Sequence, residues 1–137
     1  MGRCIHIEIG TGIVGWGDAF AYNCRRAVQA AVEDMVAPIA LGHDANDIEG
    51  LCHKAQQRLH LFGRYGITMF ALSGLDIALW DIAGKQAEES VSQLLGRRYR
   101  ESIPAYVSGL PEDTLSARCD LAASWQERGF DSFKFAM

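Results

Sequence analysis

Two carboxylates stand where carboxylates are costly. From Ile67 to Ala83 the chain is apolar at nearly every position, yet the run carries Asp76 and Asp81 within "SGLDIALWDIAGK", residues 73 to 85. A helix that is apolar all round must be covered all round. A carboxylate taken out of water without a partner then costs several kcal/mol. Such groups either do acid–base or metal chemistry or tie elements together. Ser73, Asp76 and Trp80, three and four apart, share one face of a helix, and Asp81 lies elsewhere on it. With no His or Cys in register on that helix, the structural role is the expected one for Asp76, Trp80 and Asp81. Lys134, in "DSFKFA", is the second group that could do chemistry. On a strand, Phe133 and Phe135 face one way while Ser132, Lys134 and Ala136 face the other. The lysine stem is then flanked by two phenylalanines with the amine free, or the residue is a strand-end lysine reaching solvent.

The elements that must position these groups follow from the periodicities. Residues 3 to 9, "RCIHIEI", alternate strictly, with Ile5, Ile7 and Ile9 on one face, which is a half-buried strand. "GTG" at 10 to 12 supplies a turn and "IVGWGDA" returns as the second arm of a hairpin. His6 reads as an exposed strand residue. Val28, Ala31, Val32, Met35, Val36 and Ile39 step by three and four along a helix that Pro38 brings to its end. Asp44 or Asn46 can cap the next helix, which carries Ile48, Leu51, Cys52, Ala55 and Leu59 and closes at Gly63. Both stripes are core faces rather than cofactor boxes. The buried helix follows, from about Thr68 to Lys85, then a short helix capped by Ser90 with Gly96 beyond its end. At residue 102 the character changes. "SIPAYVS" reads as a strand, "PEDTLSARCDLAASWQER" as a helix with Leu115, Cys119, Ala122 and Trp125 on its apolar face, and "FDSFKFA" as a strand. That is a βαβ unit, which joins parallel strands. Parallel sheets need cover on both faces, so one such unit at the end of a chain reads as a fold stopped midway.

Composition excludes several functions. The chain has 137 residues, 49% apolar and 22% charged, with a formal net charge of −4. Its only basic clusters, Arg25-Arg26 and Arg97-Arg98-Tyr99-Arg100, are too short for a nucleic-acid footprint and read as solvated helix ends. Four cysteines without CxxC or Cys/His spacing argue against zinc and for reduced thiols. The start "MGRCIHIEIG" lacks a signal-peptide pattern, and His6 stands where a myristoylation motif needs Ser or Thr. The apolar run 67 to 83 is short of the ~20 residues a bilayer needs and carries two aspartates, so no membrane span is expected. The expected setting is the cytoplasm.

"ALSGLDIALWDIAGKQAEESVSQLLG" followed by "SIPAYVSG" closely resembles the junction of capping domain and barrel in the enolase superfamily, in its mandelate racemase and muconate-lactonizing branch. "GIVGWGDAF" resembles that family's capping-domain hairpin strand and "ERGFDSFKFA" the start of its second barrel strand. The resemblance covers essentially the whole chain. It implies an α+β capping domain, a hairpin plus helices, over residues 1–100, without the family's first strand and first substrate-covering loop. Residues 101–137 would be the first βαβ unit of an incomplete (β/α) barrel. Asp76 and Asp81 would anchor neighbouring backbone or basic side chains at that junction.

The chemistry the resemblance implies is abstraction of the proton next to a carboxylate. A divalent metal, usually Mg2+, stabilises the enediolate, held by three acidic residues on barrel strands beyond residue 137, so none is expected to bind this chain alone. Lys134 matches the first lysine of the family's Lys-x-Lys motif, which contacts the substrate carboxylate. Ala136 stands where the second lysine, a base, is usual, so two-base racemisation gives way to one-base chemistry such as dehydration. "DAFAYN" corresponds to the loop that closes over substrate, making Phe20 and Tyr22 pocket-wall residues, or residues packed on the following helix. Ser108, at the end of the first barrel strand, faces the side where barrel enzymes build their sites, to bond substrate or cap the next turn. The expected function is thus part of a dehydratase, epimerase or racemase acting on an acid sugar or related small carboxylate, with the isolated chain inactive and the complete enzyme a homo-oligomer. The alternative is a truncated, non-catalytic, at most oligomerising domain.

Overall fold

The computed structural model describes residues 3–135. The chain forms two compact units, Met1–Arg97 and Arg98–Met137.

The first unit is built around one helix. Strands β1 (Arg3–Glu8) and β2 (Val14–Ala19) pair antiparallel, with Ile5 opposite Gly17 and Ile7 opposite Gly15. The turn closes through Gly12 N–H to Ile9 O at 2.8 Å, with Gly12 at φ 81°, a conformation that favours glycine. Ile5, Ile7 and Ile9 are half-buried while Cys4, His6 and Glu8 are exposed, as their alternation requires. On β2 the inward residues are small: Gly15, Gly17 and Ala19 are buried.

The helical stretch 25–40 is not uniform. It runs as α1 (Arg25–Ala30), a π-helical turn (Ala31–Val36) and α2 (Ala37–Ala40). Pro38 has no N–H to give and its ring would meet the carbonyl of Asp34, four residues back. The widened turn, with Ala37 N–H reaching Val32 O, accommodates it. Helix α3 (Ile48–Arg58) starts at Asp47, whose side chain accepts from Gly50 N–H at 3.0 Å. The two expected caps, Asp44 and Asn46, instead bond each other: Asp44 accepts from Asn46 N–H and its side-chain amide, both at 2.9 Å, folding the preceding turn. A 3-10 turn (His60–Phe62) leads to Gly63.

Helix α4 (Ile67–Ala87) has the length and hydropathy to cross a bilayer, but it is the core of this unit. β2 lies along one side; the π-helical turn and α3 cover another, with Leu51, Ala55, Leu72, Leu75 and Leu79 in one buried cluster. The expectation of cover all round is corrected. Ser73 and Ile77 are exposed, Ile77 at 47%, because within this unit the hairpin and the helices occupy only two sides of the cylinder. Helix α5 (Val91–Leu94) is closed by Gln93, whose side chain accepts from Ser90 N–H at 3.0 Å.

In the second unit, β3 (Val107–Ser108), α6 (Leu115–Glu127) and β4 (Phe133–Lys134) form a βαβ unit with β3 and β4 parallel. The strands are shorter than their sequence patterns, each having only the other to pair with in this sheet. Thr114 caps α6, accepting from Ala117 N–H at 3.2 Å. The buried face of α6 differs from the expected one. Leu115 is 79% exposed and Cys119 is exposed, whereas Ala117, Leu121, Ala122 and Trp125 are half-buried. The helix is rotated toward the side on which Trp125 meets Phe130 edge-to-face at 5.4 Å.

Candidate functional site

The two carboxylates of α4 divide between its covered sides, Asp81 toward β2 and Asp76 toward α3. Asp81 Oδ2 accepts from Trp16 N–H at 2.8 Å and from Lys85 Nζ at 2.7 Å, and Lys85 also donates to Val14 O at 2.8 Å. One carboxylate and one ammonium thus hold two backbone groups of β2. The Lys85 ammonium, and after it the Trp16 N–H, holds the Asp81 carboxyl below the usual carboxylate range. The strand can come so close because Gly15 and Gly17 carry no side chains toward the helix. A Cβ on Gly17 would meet the Gly74 carbonyl oxygen and one on Gly15 the Ala78 carbonyl oxygen.

Asp76 faces elsewhere. It accepts from the Cys52 thiol at 3.4 Å, and lines an open groove with Asp47, Glu49, Cys52, His53 and Trp80. Burial, and after it the bond to Asp76, pushes the Cys52 thiol up to about 12. At neutral pH Cys52 is therefore a thiol donor rather than a nucleophile. Ser73, expected on the same face as Asp76, is exposed and donates back to Met69 O at 2.7 Å within its own helix. Trp80 is half-buried.

β2 runs directly into the aromatic pair Phe20 and Tyr22, which are 57% and 69% exposed. Their rings stack with centroids 6.4 Å apart, and Phe20 meets Phe70 of α4 edge-on at 5.0 Å. Of the two sequence readings, packing on the following helix fits neither ring fully. Phe20 packs on α4, and Tyr22 stands largely in solvent.

In the second unit Ser108 and Lys134 are register partners on adjacent parallel strands, so their side chains share a sheet face. Both are exposed, while Val107 and Phe133 on the opposite face are half-buried. Phe135 is exposed and Phe133 lies on the opposite face, so the expected shielding of the lysine stem by two phenylalanines does not form. Ala136 lies outside the described residues. Sequence reasoning missed Lys85, Cys52 and Phe70 as partners of the residues it singled out. The signal for Lys85 was its i+4 spacing from Asp81; nothing local announces the other two.

Among the described residues no group of three or more His, Cys, Asp or Glu could hold a metal ion. The donor set of the described residues does not fit a divalent metal.

The first unit is thus a small α+β arrangement of hairpin and helices, and the second a parallel βαβ unit. Residues 3–96 match the model of the mandelate racemase / muconate lactonizing enzyme N-terminal domain, and the chain belongs to that family, within the enolase superfamily. It is 42% identical over 103 residues to arabinonate dehydratase of Saccharolobus solfataricus, covering 75% of this chain and 27% of that protein. It is 36% identical over 130 residues to D-galactarolactone cycloisomerase of Agrobacterium fabrum, covering 94% and 34%. A crystal structure of a racemase from Streptomyces coelicolor A3(2) with bound magnesium superposes with a TM-score of 0.87 at 30% identity, covering 95% of this chain and 37% of that one. The chain spans about a quarter to a third of the length of the curated relatives.

Proposed function

We propose that these residues are the capping region and first barrel strands of a magnesium-dependent enzyme that removes the proton next to the carboxylate of an acid sugar. The observation that carries the reading is the match of residues 3–96 to the family's N-terminal domain, joined to similarity with a dehydratase and a cycloisomerase of sugar-derived substrates. A carbon acid this weak needs charge stabilisation where its carboxylate becomes an enediolate. A divalent metal held by residues other than those described would supply most of it. Lys134 contributes an ammonium at the carboxylate, and Ser108, on the same sheet face, a hydroxyl beside it. Phe20 and Tyr22 form an apolar wall against the sugar's carbon chain. Alanine at 136 offers no proton acceptor, so the base comes from another strand, which favours dehydration or cycloisomerisation over two-base racemisation. The residues 1–137 alone are inactive, and the setting is cytoplasmic.

A library of aldonates, aldarates and their lactones, incubated with the complete protein and Mg2+, tests this. Loss of water or of the α-proton from at least one member is expected. Turnover of no member, or turnover that leaves the α-proton in place, would refute it.

A further inference from the structure

Strand β2 meets α4 backbone to backbone. Gly15 and Gly17 lie on the carbonyls of Ala78 and Gly74, and a Cβ at Gly17 would also stand 2.8 Å from Ala78 N. At Gly15 and Gly17 such a contact leaves no side chain to interlock with the helix, so that, although Ala19 is buried further along, it does little by itself to fix the start of the strand. Directional contacts must do that. Among the described residues the hydrogen bonds between α4 and the hairpin are two, Asp81 to Trp16 N–H and Lys85 to Val14 O, joined by the Lys85–Asp81 pair. Both land at the start of β2, and the strand ends at Ala19, next to Phe20. From Trp16 to Phe20 is four residues, a rigid arm of about 13 Å at ~3.3 Å per residue. At its far end Phe20 touches α4 again, through Phe70.

We propose that Asp81 and Lys85 are positioning residues for the aromatic wall Phe20–Tyr22: their clasp on β2 sets where the wall stands relative to α4. This rests on the reading that Phe20 and Tyr22 face the substrate. It gives the pair a functional reason beyond stability, since a displaced wall alters which carbon chain packs against it.

The test uses aromatic-proton NMR of this chain. The Phe20–Phe70 cross-peak reports the wall, and the Trp125–Phe130 cross-peak, from the other unit, is the internal reference. Lys85→Met is expected to lose the Phe20–Phe70 cross-peak while keeping the reference and the helical circular dichroism. Lys85→Arg, which can still bridge Asp81 and Val14 O, is expected to restore it. If Lys85→Met fails to fold, Asp81→Asn decides, because it keeps an oxygen for Trp16 N–H and loses only the charge that draws Lys85. An unchanged Phe20–Phe70 cross-peak in a folded variant overturns the proposal. The underlying reading fails separately: Phe20→Ala and Tyr22→Ala in the complete enzyme would then leave KM unchanged. If both hold, Lys85→Met there raises KM with kcat little altered, a split that general destabilisation does not produce.

Discussion

Gly17→Ala adds one methyl group at the closest approach of hairpin and core helix. The new Cβ would overlap the Gly74 carbonyl oxygen and stand 2.8 Å from Ala78 N and 3.0 Å from Gly74 C. All three atoms belong to the helix backbone, so no rotamer change relieves the clash and β2 must lift off α4. Overpacking of this kind costs about 1–3 kcal/mol. Lifting the strand also stretches the bonds from Trp16 N–H to Asp81 and from Lys85 to Val14 O, both 2.8 Å, each contributing about 1 kcal/mol net. A loss of about 3 kcal/mol is therefore expected, which for a unit of this size lowers Tm by about 12 °C or more. Gly10→Ala is the control. It meets nothing within 4 Å and has no left-handed φ, so its effect should stay within about 0.5 kcal/mol. Urea melts of the three proteins, read at constant m, give the answer. Coincident midpoints for Gly17→Ala and the parent would refute the backbone-on-backbone packing.

Other expectations follow from the same contacts. Iodoacetamide near pH 8 should label exposed Cys4 and Cys119 well before Cys52; Asp76→Asn, which removes one cause of the raised thiol but not its burial, should speed Cys52 labelling without equalising it, as peptide mass spectrometry would show. Because the Asp81 carboxyl is lowered in the fold, its contribution is present above the unfolded value near ~3.9 and is lost as pH falls through the folded one. Asp81→Asn should therefore flatten the acid side of the stability curve and leave the slope at neutral pH unchanged. Calorimetry of the 137-residue chain with Mg2+ should show no tight stoichiometric site, since no donor cluster exists among the described residues. One such site would make Asp76 or Asp81 a ligand after all.

How much of this is legible in the sequence depends on the range of the interaction. The hairpin and α3 follow from alternation and from three-four spacing, because those periods report one buried face, and α4 from the length of its apolar run. The sequence-read span of α4, Thr68 to Lys85, falls two residues or fewer short of each end. Cap choice at α3 is a one-turn matter that several residues could satisfy, and Asp47 prevailed where Asp44 and Asn46 were expected because it stands three residues before Gly50 N–H. The π-helical turn was implicit in Pro38, though a helix stop was the simpler inference. The face of α6 was misjudged because two apolar stripes compete on one helix, and Trp125 turned it toward Phe130. Partners of the α4 carboxylates are least legible. Trp16 lies 65 positions from Asp81, and Cys52 lies 24 from Asp76 on another helix, where no search in register would find it.

The most direct test of the proposed chemistry is α-proton exchange in the complete protein. Mg2+ and an acid sugar that it turns over are supplied in D2O, and NMR follows loss of the proton at the carbon next to the carboxylate, whether deuterium replaces it or elimination removes it, for the parent and for Lys134→Met. Met keeps the stem and removes the charge that offsets the enediolate, an electrostatic contribution of roughly 3 kcal/mol, so exchange should fall at least about a hundredfold with the fold retained. Magnesium-dependent exchange in the parent, lost in Lys134→Met, is the expected result. Turnover without α-proton loss, or full exchange in Lys134→Met, would contradict it.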